Sequence, residues 1–470
     1  MKNKIVNKRP AMNTSRRAFL KQGSTLIAAG VVSPIAINLA TISEASASTA
    51  ADYKAIVCIF MRGGNDNYNS LVPYDNASYA TYQTLRPILA YAKSNLAATV
   101  LTPRNVPVDR NGIPHQYALS PSLAPLKSIF DAQRMAIMLN VGTLRQPTTK
   151  TQFTNRSVPL PPRLFSHNDQ ESIWQSLAPE GAPSGWGGRM GDLFEAGNGK
   201  AVFTCVNVSE NTVFPSGKKV TQYQVSAGGV APLYGLNYLY GSMACSQALQ
   251  TLMTQARSHL FENEHNIVTT RALSAGTDLS EALAASQKIN TPFPVDNKLG
   301  DQLKFVAQMI ASADTLTVKR QVFFVSLGGF DHHDGLLTKQ PGLLKQVADA
   351  MKAFYDATVE LGVANQVTSF TASDFGRSLV GNNDGSDHGW GSAHFIMGGA
   401  VLGGNYYGTP PIVANNGLDD VGEGRLLPTI SVDQYAATIG KWLGVTDSQL
   451  LDLLPNLKNF DASVRNLGFV

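Results

Sequence analysis

Three short apolar runs, far apart in the chain, stop in the same way. Tyr53–Met61 (YKAIVCIFM) gives way to Arg62-Gly63-Gly64-Asn65-Asp66, and Gln321–Leu327 (QVFFVSL) to Gly328-Gly329-Phe330-Asp331-His332-His333. Gln366–Ala372 (QVTSFTA) gives way to Ser373-Asp374-Phe375-Gly376-Arg377. Runs of this length, apolar and rich in β-formers, read as strands. Arg134–Val141, ending at Gly142, and His394–Leu402 are further strand candidates. Between the second and third runs Leu343, Leu344, Val347, Met351 and Phe354 recur at helical spacing until Gly362. Strand-like and helix-like segments in alternation predict an α/β sheet.

In an open parallel sheet, ligands bind beyond the carboxyl ends of the strands. Asp66, Asp331 and Asp374 each stand just past such an end, so they are expected to converge on one crevice. Three bare carboxylates there would repel one another, and a divalent cation is their natural neutraliser. Five of the eight histidines fall in the same polar stretches: His167, His332, His333, His388 and His394. For any single Asp the competing reading is a helix cap or an Asx-turn.

The chain has 470 residues, enough for one large or two ordinary domains, and its 43% hydrophobic and 15% charged content is that of a folded protein. Seven of the 38 Lys/Arg and one of the 34 Asp/Glu lie in the first 47 residues, so the remainder carries 31 against 33, a net of −2. That balance gives a nucleic-acid or anionic-membrane partner no support. Ser15-Arg16-Arg17-Ala18-Phe19-Leu20-Lys21, a modest apolar run and Ala45-Ser46-Ala47 read as a twin-arginine export signal over residues 1–47. Residues 48–470 are then expected to be one exported, periplasmic or secreted domain with no membrane span, the region around 200–300 forming a cap or insertion. Of three cysteines, Cys58 reads as a core residue, whereas spacing leaves a Cys205–Cys245 pairing open. There is no G-x-S-x-G elbow, no phosphate-binding P-loop and no H-E-x-x-H helix.

Six ordered blocks carry a family resemblance: RGGNDNYNSLVPY (62–74), LFSHNDQ (164–170), GWGGRMGD (185–192), GGFDHHD (328–334), SDFGRSL (373–379) and GSDHGWGSAHFIMGGAV (385–401). Together with the export signal they resemble the DUF1501 family, exported bacterial proteins of uncharacterised function grouped with the alkaline phosphatase-like superfamily. The resemblance implies an alkaline phosphatase-like α/β fold, a mainly parallel sheet sandwiched between helices, with one or two divalent metals at its carboxyl edge. It implies metal roles for Asp66, Asp331, His333, Asp374 and His388, and a nucleophile at Ser166. If Ser166 is not the nucleophile, His167 becomes a ligand. Phe375 stands where the wider group has a histidine after its Asp, and Asp331-x-His333 is a shortened form of its metal pair.

The implied activity is metal-dependent hydrolysis of a phosphate or sulfate ester, on a small-molecule or polymeric anionic substrate. Zn²⁺ or Mn²⁺ is expected over Ca²⁺, since histidine nitrogens join the carboxylates. Ser166, His167 and Arg377 are the catalytic candidates, Arg377 as a planar fork for an anionic oxygen or, equally, as a salt-bridge or helix-end charge. A metal-binding or assembly protein that has lost catalysis is the alternative, motivated by Phe375.

Overall fold

The computed structural model describes residues 52–231 and 233–470. The proposed export signal lies outside them. The architecture is α/β, with helices on both faces of a mixed, mainly parallel sheet. Its strands run in the order Tyr406–Tyr407, Met135–Gly142, Ser392–Gly398, Val367–Ser373, Lys54–Met61, Arg320–Leu327, Cys205–Asn207, Tyr223–Gln224, and Ile430–Ser431 also pairs with Met135–Gly142. Ser392–Gly398 is the antiparallel member, paired with Val367–Ser373 on one side and Met135–Gly142 on the other. All five strand expectations hold to within a residue or two except one: the run from His394 begins at Ser392 and stops at Gly398.

Alternation along the first strand shows why the sheet is covered on both faces. Ala55, Val57, Ile59 and Met61 enter one core cluster, and Ile56, Cys58 and Phe60 the other. Helices Lys298–Ala311 and Leu336–Glu360 pack Leu303, Val306, Leu344, Val347, Met351 and Phe354 against the first face. Helices Trp186–Phe194 and Val432–Leu443 cover the second, with Trp174 buried there as well. The expected helical stripe is therefore real, and Gly362 follows that helix at φ +72°.

Register fixes where the loops meet. Lys54–Met61 is central, and Met61 lies level with Leu327 on one side and Ser373 on the other, both in parallel. The segments starting at Arg62, Gly328 and Asp374 thus leave one edge side by side. The region around 200–300 contributes two strands to the main sheet, and Ala275, Leu279 and Ala282 of helix Leu260–Ala285 enter the core. All three cysteines are free, Cys58 and Cys205 buried and Cys245 exposed, so Cys205 and Cys245 are not bridged. Among the described residues no helix is long and apolar enough to cross a membrane.

Candidate metal centre

The Arg62–Asp66 turn is pressed against the neighbouring loop. Gly63 has φ +110°, and a Cβ there would stand 2.6 Å from the Asp331 backbone nitrogen, so only glycine fits. Ser373 ties the loop down, its hydroxyl donating to the Met61 carbonyl (2.6 Å) and accepting from the Asn65 N–H (2.8 Å). Helix His167–Ser176 brings its first residue to the same edge, and the hairpin of Arg377–Gly381 with Ser386–His388 brings its last.

Three imidazoles meet there. His167 Nε2 lies 3.1 Å from His388 Nε2, and His333 Nε2 lies 2.9 Å from the same atom. Asp331 Oδ1 is 3.4 Å from the His167 nitrogen, 3.1 Å from that of His333 and 3.5 Å from that of His388. The donor atoms of His167, Asp331 and His388 all lie within 4.8 Å of one another, and His333 closes against two of the three.

The far side of each ring is held by an acceptor. His167 Nδ1 is 2.7 Å from Asp374 Oδ2, His388 Nδ1 is 2.6 Å from the Phe165 carbonyl, and His333 Nδ1 is 3.1 Å from Asp387 Oδ1. A carbonyl only accepts, so His388 Nδ1 carries the hydrogen and its neutral ring turns a lone pair inward at Nε2. Lone pairs facing one another at these distances call for a cation between them, a proton or a metal ion. The hydrogen bond that His167 donates to Asp374 raises the pKa of His167 against its partial burial, whereas burial lowers that of His388. Burial pushes the Asp331 carboxyl up, but Arg377, together with the nearby His167 and His333, outweighs it and holds the group below the ordinary carboxylate range. Two inward imidazole nitrogens and one ionised carboxylate, each oriented from behind, are a donor set that fits a divalent metal ion.

The expected residues divide sharply. Asp331, His388 and His167 come together, His333 flanks them, and Asp374 supports His167 from behind, its other oxygen accepting from the Gly63 N–H at 3.0 Å. Asp66 does not join them. Its carboxylate is buried and filled by Arg86 (2.6 and 3.0 Å), by the Ser386 hydroxyl (2.6 Å) and by the Tyr68 and Asn69 N–H groups (3.0 Å each). It caps the short turn Asn67–Asn69, the competing reading for an Asp in that place.

Arg377 is likewise committed. Its side chain is fully buried, and its donors serve the carbonyls of Gly63, Gly64 and Ser386, with Asp331 on Nη2. It therefore holds Asp331 instead of presenting a free fork to an anion. Ser166 precedes helix His167–Ser176, and its hydroxyl donates to Asp169 at 3.2 Å. His332 turns into the interior, with Nδ1 unpartnered, and His394 is wholly buried between Trp174 and Tyr435. Phe375 packs its ring on His167 (4.8 Å) and His388 (4.6 Å), walling the centre with carbon. The sequence reading missed Arg86, which no local pattern marks, and gave Asp387, directly before His388, no role of its own.

Residues 53–454 match the family described as "Protein of unknown function (DUF1501)". The chain belongs to the DUF1501 family. No curated protein matches this DUF1501 chain. Solved structures similar to it include Ps i-CgsB in complex with k-i-k-neocarrahexaose, at 11% identity and TM-score 0.36, covering 87% of this chain and 77% of that one. The PsFucS1 sulfatase from Pseudoalteromonas sp. is 10% identical with TM-score 0.35, covering 90% and 73%. The alkaline phosphatase of the Antarctic bacterium TAB5 is 9% identical with TM-score 0.29, covering 83% and 99%.

Proposed function

We propose that this DUF1501 chain is an exported, metal-dependent hydrolase of phosphate or sulfate esters. The observation that carries the proposal is the convergence of two imidazole Nε2 atoms and Asp331 Oδ1, with each ring fixed from behind. His167, Asp331 and His388 are the proposed ligands, and Asp66 and Arg377 are structural.

A divalent ion held there would polarise an ester oxygen and ease ionisation of water. The chain's own residues do the rest. Asp374 and the Phe165 carbonyl hold His167 and His388 in the tautomer that leaves Nε2 unprotonated. Arg377 keeps Asp331 ionised and in place. His333, half-exposed and held by Asp387, is the proton carrier at Nε2. In the overall reaction water adds to phosphorus or sulfur, the bond from that atom to the ester oxygen breaks, and the leaving alcohol takes a proton. Water is the proposed nucleophile, because the Ser166 hydroxyl is directed to Asp169.

The second reading is a metal-binding assembly protein without turnover, favoured by Phe375 on the rings and by the full commitment of Arg377. Metal analysis of the purified protein, followed by a panel of generic phosphate and sulfate esters, separates the two. Stoichiometric zinc or manganese with turnover abolished by chelation supports hydrolysis, and metal without turnover supports the second reading. A protein free of both overturns the metal assignment. The paired arginines are proposed to direct export by the twin-arginine route, to the periplasm or beyond.

A further inference from the structure

Two of the three rings at the candidate centre are held by carboxylates, and the third by a main-chain carbonyl: the His388 Nδ1–H reaches the Phe165 oxygen at 2.6 Å. A carbonyl keeps its aim only while its own residue is held. Phe165 sits at φ +73°, in the left-handed region that residues with a Cβ rarely adopt, and Arg163 two residues earlier is left-handed as well, at +45°. Such a backbone persists only where the surroundings fix it.

Arg425 supplies that hold. Its guanidinium lies over the Phe165 ring, 4.6 Å from the ring centre, and its Nε donates to the His388 carbonyl at 2.9 Å. One side chain thus grips both ends of the His388–Phe165 hydrogen bond, the residue that donates it and the residue that accepts it. Making both contacts at once needs a flat group that donates in its plane and stacks with its face, which a guanidinium does and an ammonium does not. The remaining partner, Glu423 on Nη2, is mostly exposed and adds little.

Arg425 is itself fixed by the main chain on either side of it. The Leu379 N–H donates to the Gly424 carbonyl (2.7 Å), and the Gly391 N–H to the Leu426 carbonyl (3.0 Å). The segment is therefore clasped to the hairpin that ends at His388 and to the chain just beyond it. Gly424 has φ +74°, and a Cβ there would stand 2.6 Å from the Val380 nitrogen. The buried Asp420 carboxylate closes the turn by accepting from the N–H groups of Asn416 (2.7 Å), Gly422 (2.8 Å) and Gly424 (3.0 Å). A side chain anchored this way brings its contacts to a fixed place.

We propose that Arg425 is a positioning residue of the candidate centre: by tying the His388 carbonyl to Phe165, it sets the direction in which His388 turns Nε2 towards His167 and Asp331. The inference rests on the metal reading and deepens it, because it names what orients one of the three ligands.

The test uses the mature chain, isotopically labelled at histidine nitrogen. Imidazole N–H signals are read by NMR in the metal-free protein, and zinc affinity by competition with a chelator. In the wild type the Nδ1–H protons of His167 and His388 are expected to resist exchange, each identified by its absence from His167→Gln or His388→Gln. In Arg425→Ala the His388 proton should exchange away while that of His167, held by Asp374, persists. Zinc affinity should fall about tenfold, the lower end for lost support behind a ligand. Arg425→Lys, which keeps the charge without the planar fork, should lose the same proton. A general loosening of the fold would remove both protons together, and that outcome overturns the proposal. So does a His388 proton that survives in Arg425→Ala or Arg425→Lys, or an Arg425→Ala affinity within twofold of a zinc-binding wild type. Selective loss of the His388 proton, in a protein whose wild type binds no zinc, would sink the metal reading and leave the Arg425 assignment standing.

Discussion

Asp374→Asn tests how the proposed metal centre is organised. Asp374 touches two things: Oδ1 accepts from the Gly63 N–H at 3.0 Å, and Oδ2 lies 2.7 Å from His167 Nδ1. The amide keeps the first bond through its oxygen and turns an NH₂ group towards the second. Facing a donor, His167 must present a lone pair at Nδ1, which moves its proton to Nε2, the atom proposed to bind metal. Support of this kind is worth roughly 10- to 100-fold in metal affinity, or about 1.4–2.7 kcal/mol. The upper half of that range is expected, because the bond is short and charge-assisted and Asp374 is only 2% exposed. The assay is competition for zinc against a chromophoric chelator, with Tm of the metal-free protein read beside it. Zinc affinity within twofold of wild type, at unchanged metal-free Tm, would refute His167 as a ligand oriented by Asp374.

Other expectations follow from the same geometry. His333→Ala should keep metal content near wild type while ester turnover falls about 10²–10⁴-fold, as for loss of a general acid–base group; loss of the metal would instead make His333 a ligand. Arg86→Met strands the buried Asp66 carboxylate and should cost about 3–5 kcal/mol in urea unfolding, and a loss below about 1 kcal/mol would show that Ser386 and the two N–H groups suffice. Burial lowers the pKa of His394 to about 3, so its contribution to stability is complete above the unfolded value near 6.5 and is lost as pH falls from there towards 3. His394→Phe should flatten the fall of Tm over pH 6 to 4, and a parallel wild-type and variant profile contradicts this. Arg16→Lys with Arg17→Lys should hold the precursor in the cytoplasm, read by fractionation, and normal export of the double variant excludes the twin-arginine route.

What could be read from the sequence was local and periodic. Apolar runs of seven to nine residues name their own strands, because a strand buried on both faces needs nearly every position apolar, as the unbroken burial of Ala55–Met61 shows. The stripe Leu344, Val347, Met351, Phe354 names a helix for the same reason, by spacing alone. Level strand ends then bring Asp66, Asp331 and Asp374 to one edge, so the place of the candidate site in the fold was legible too. What each acid does at that edge was not. Asp66 became a cap and the partner of Arg86, Asp374 the support of an imidazole, and Asp331 alone turned its oxygen to the three rings. The choice was made by groups 20 to more than 300 residues away in the chain, Arg86 for Asp66, Arg377 for Asp331 and Gly63 for Asp374. A one-dimensional pattern records which side chains carry charge. Whether a carboxylate meets a guanidinium, an N–H or a ring nitrogen depends on which remote loop packs against it, and the low dielectric of that packed edge makes each such pairing decisive.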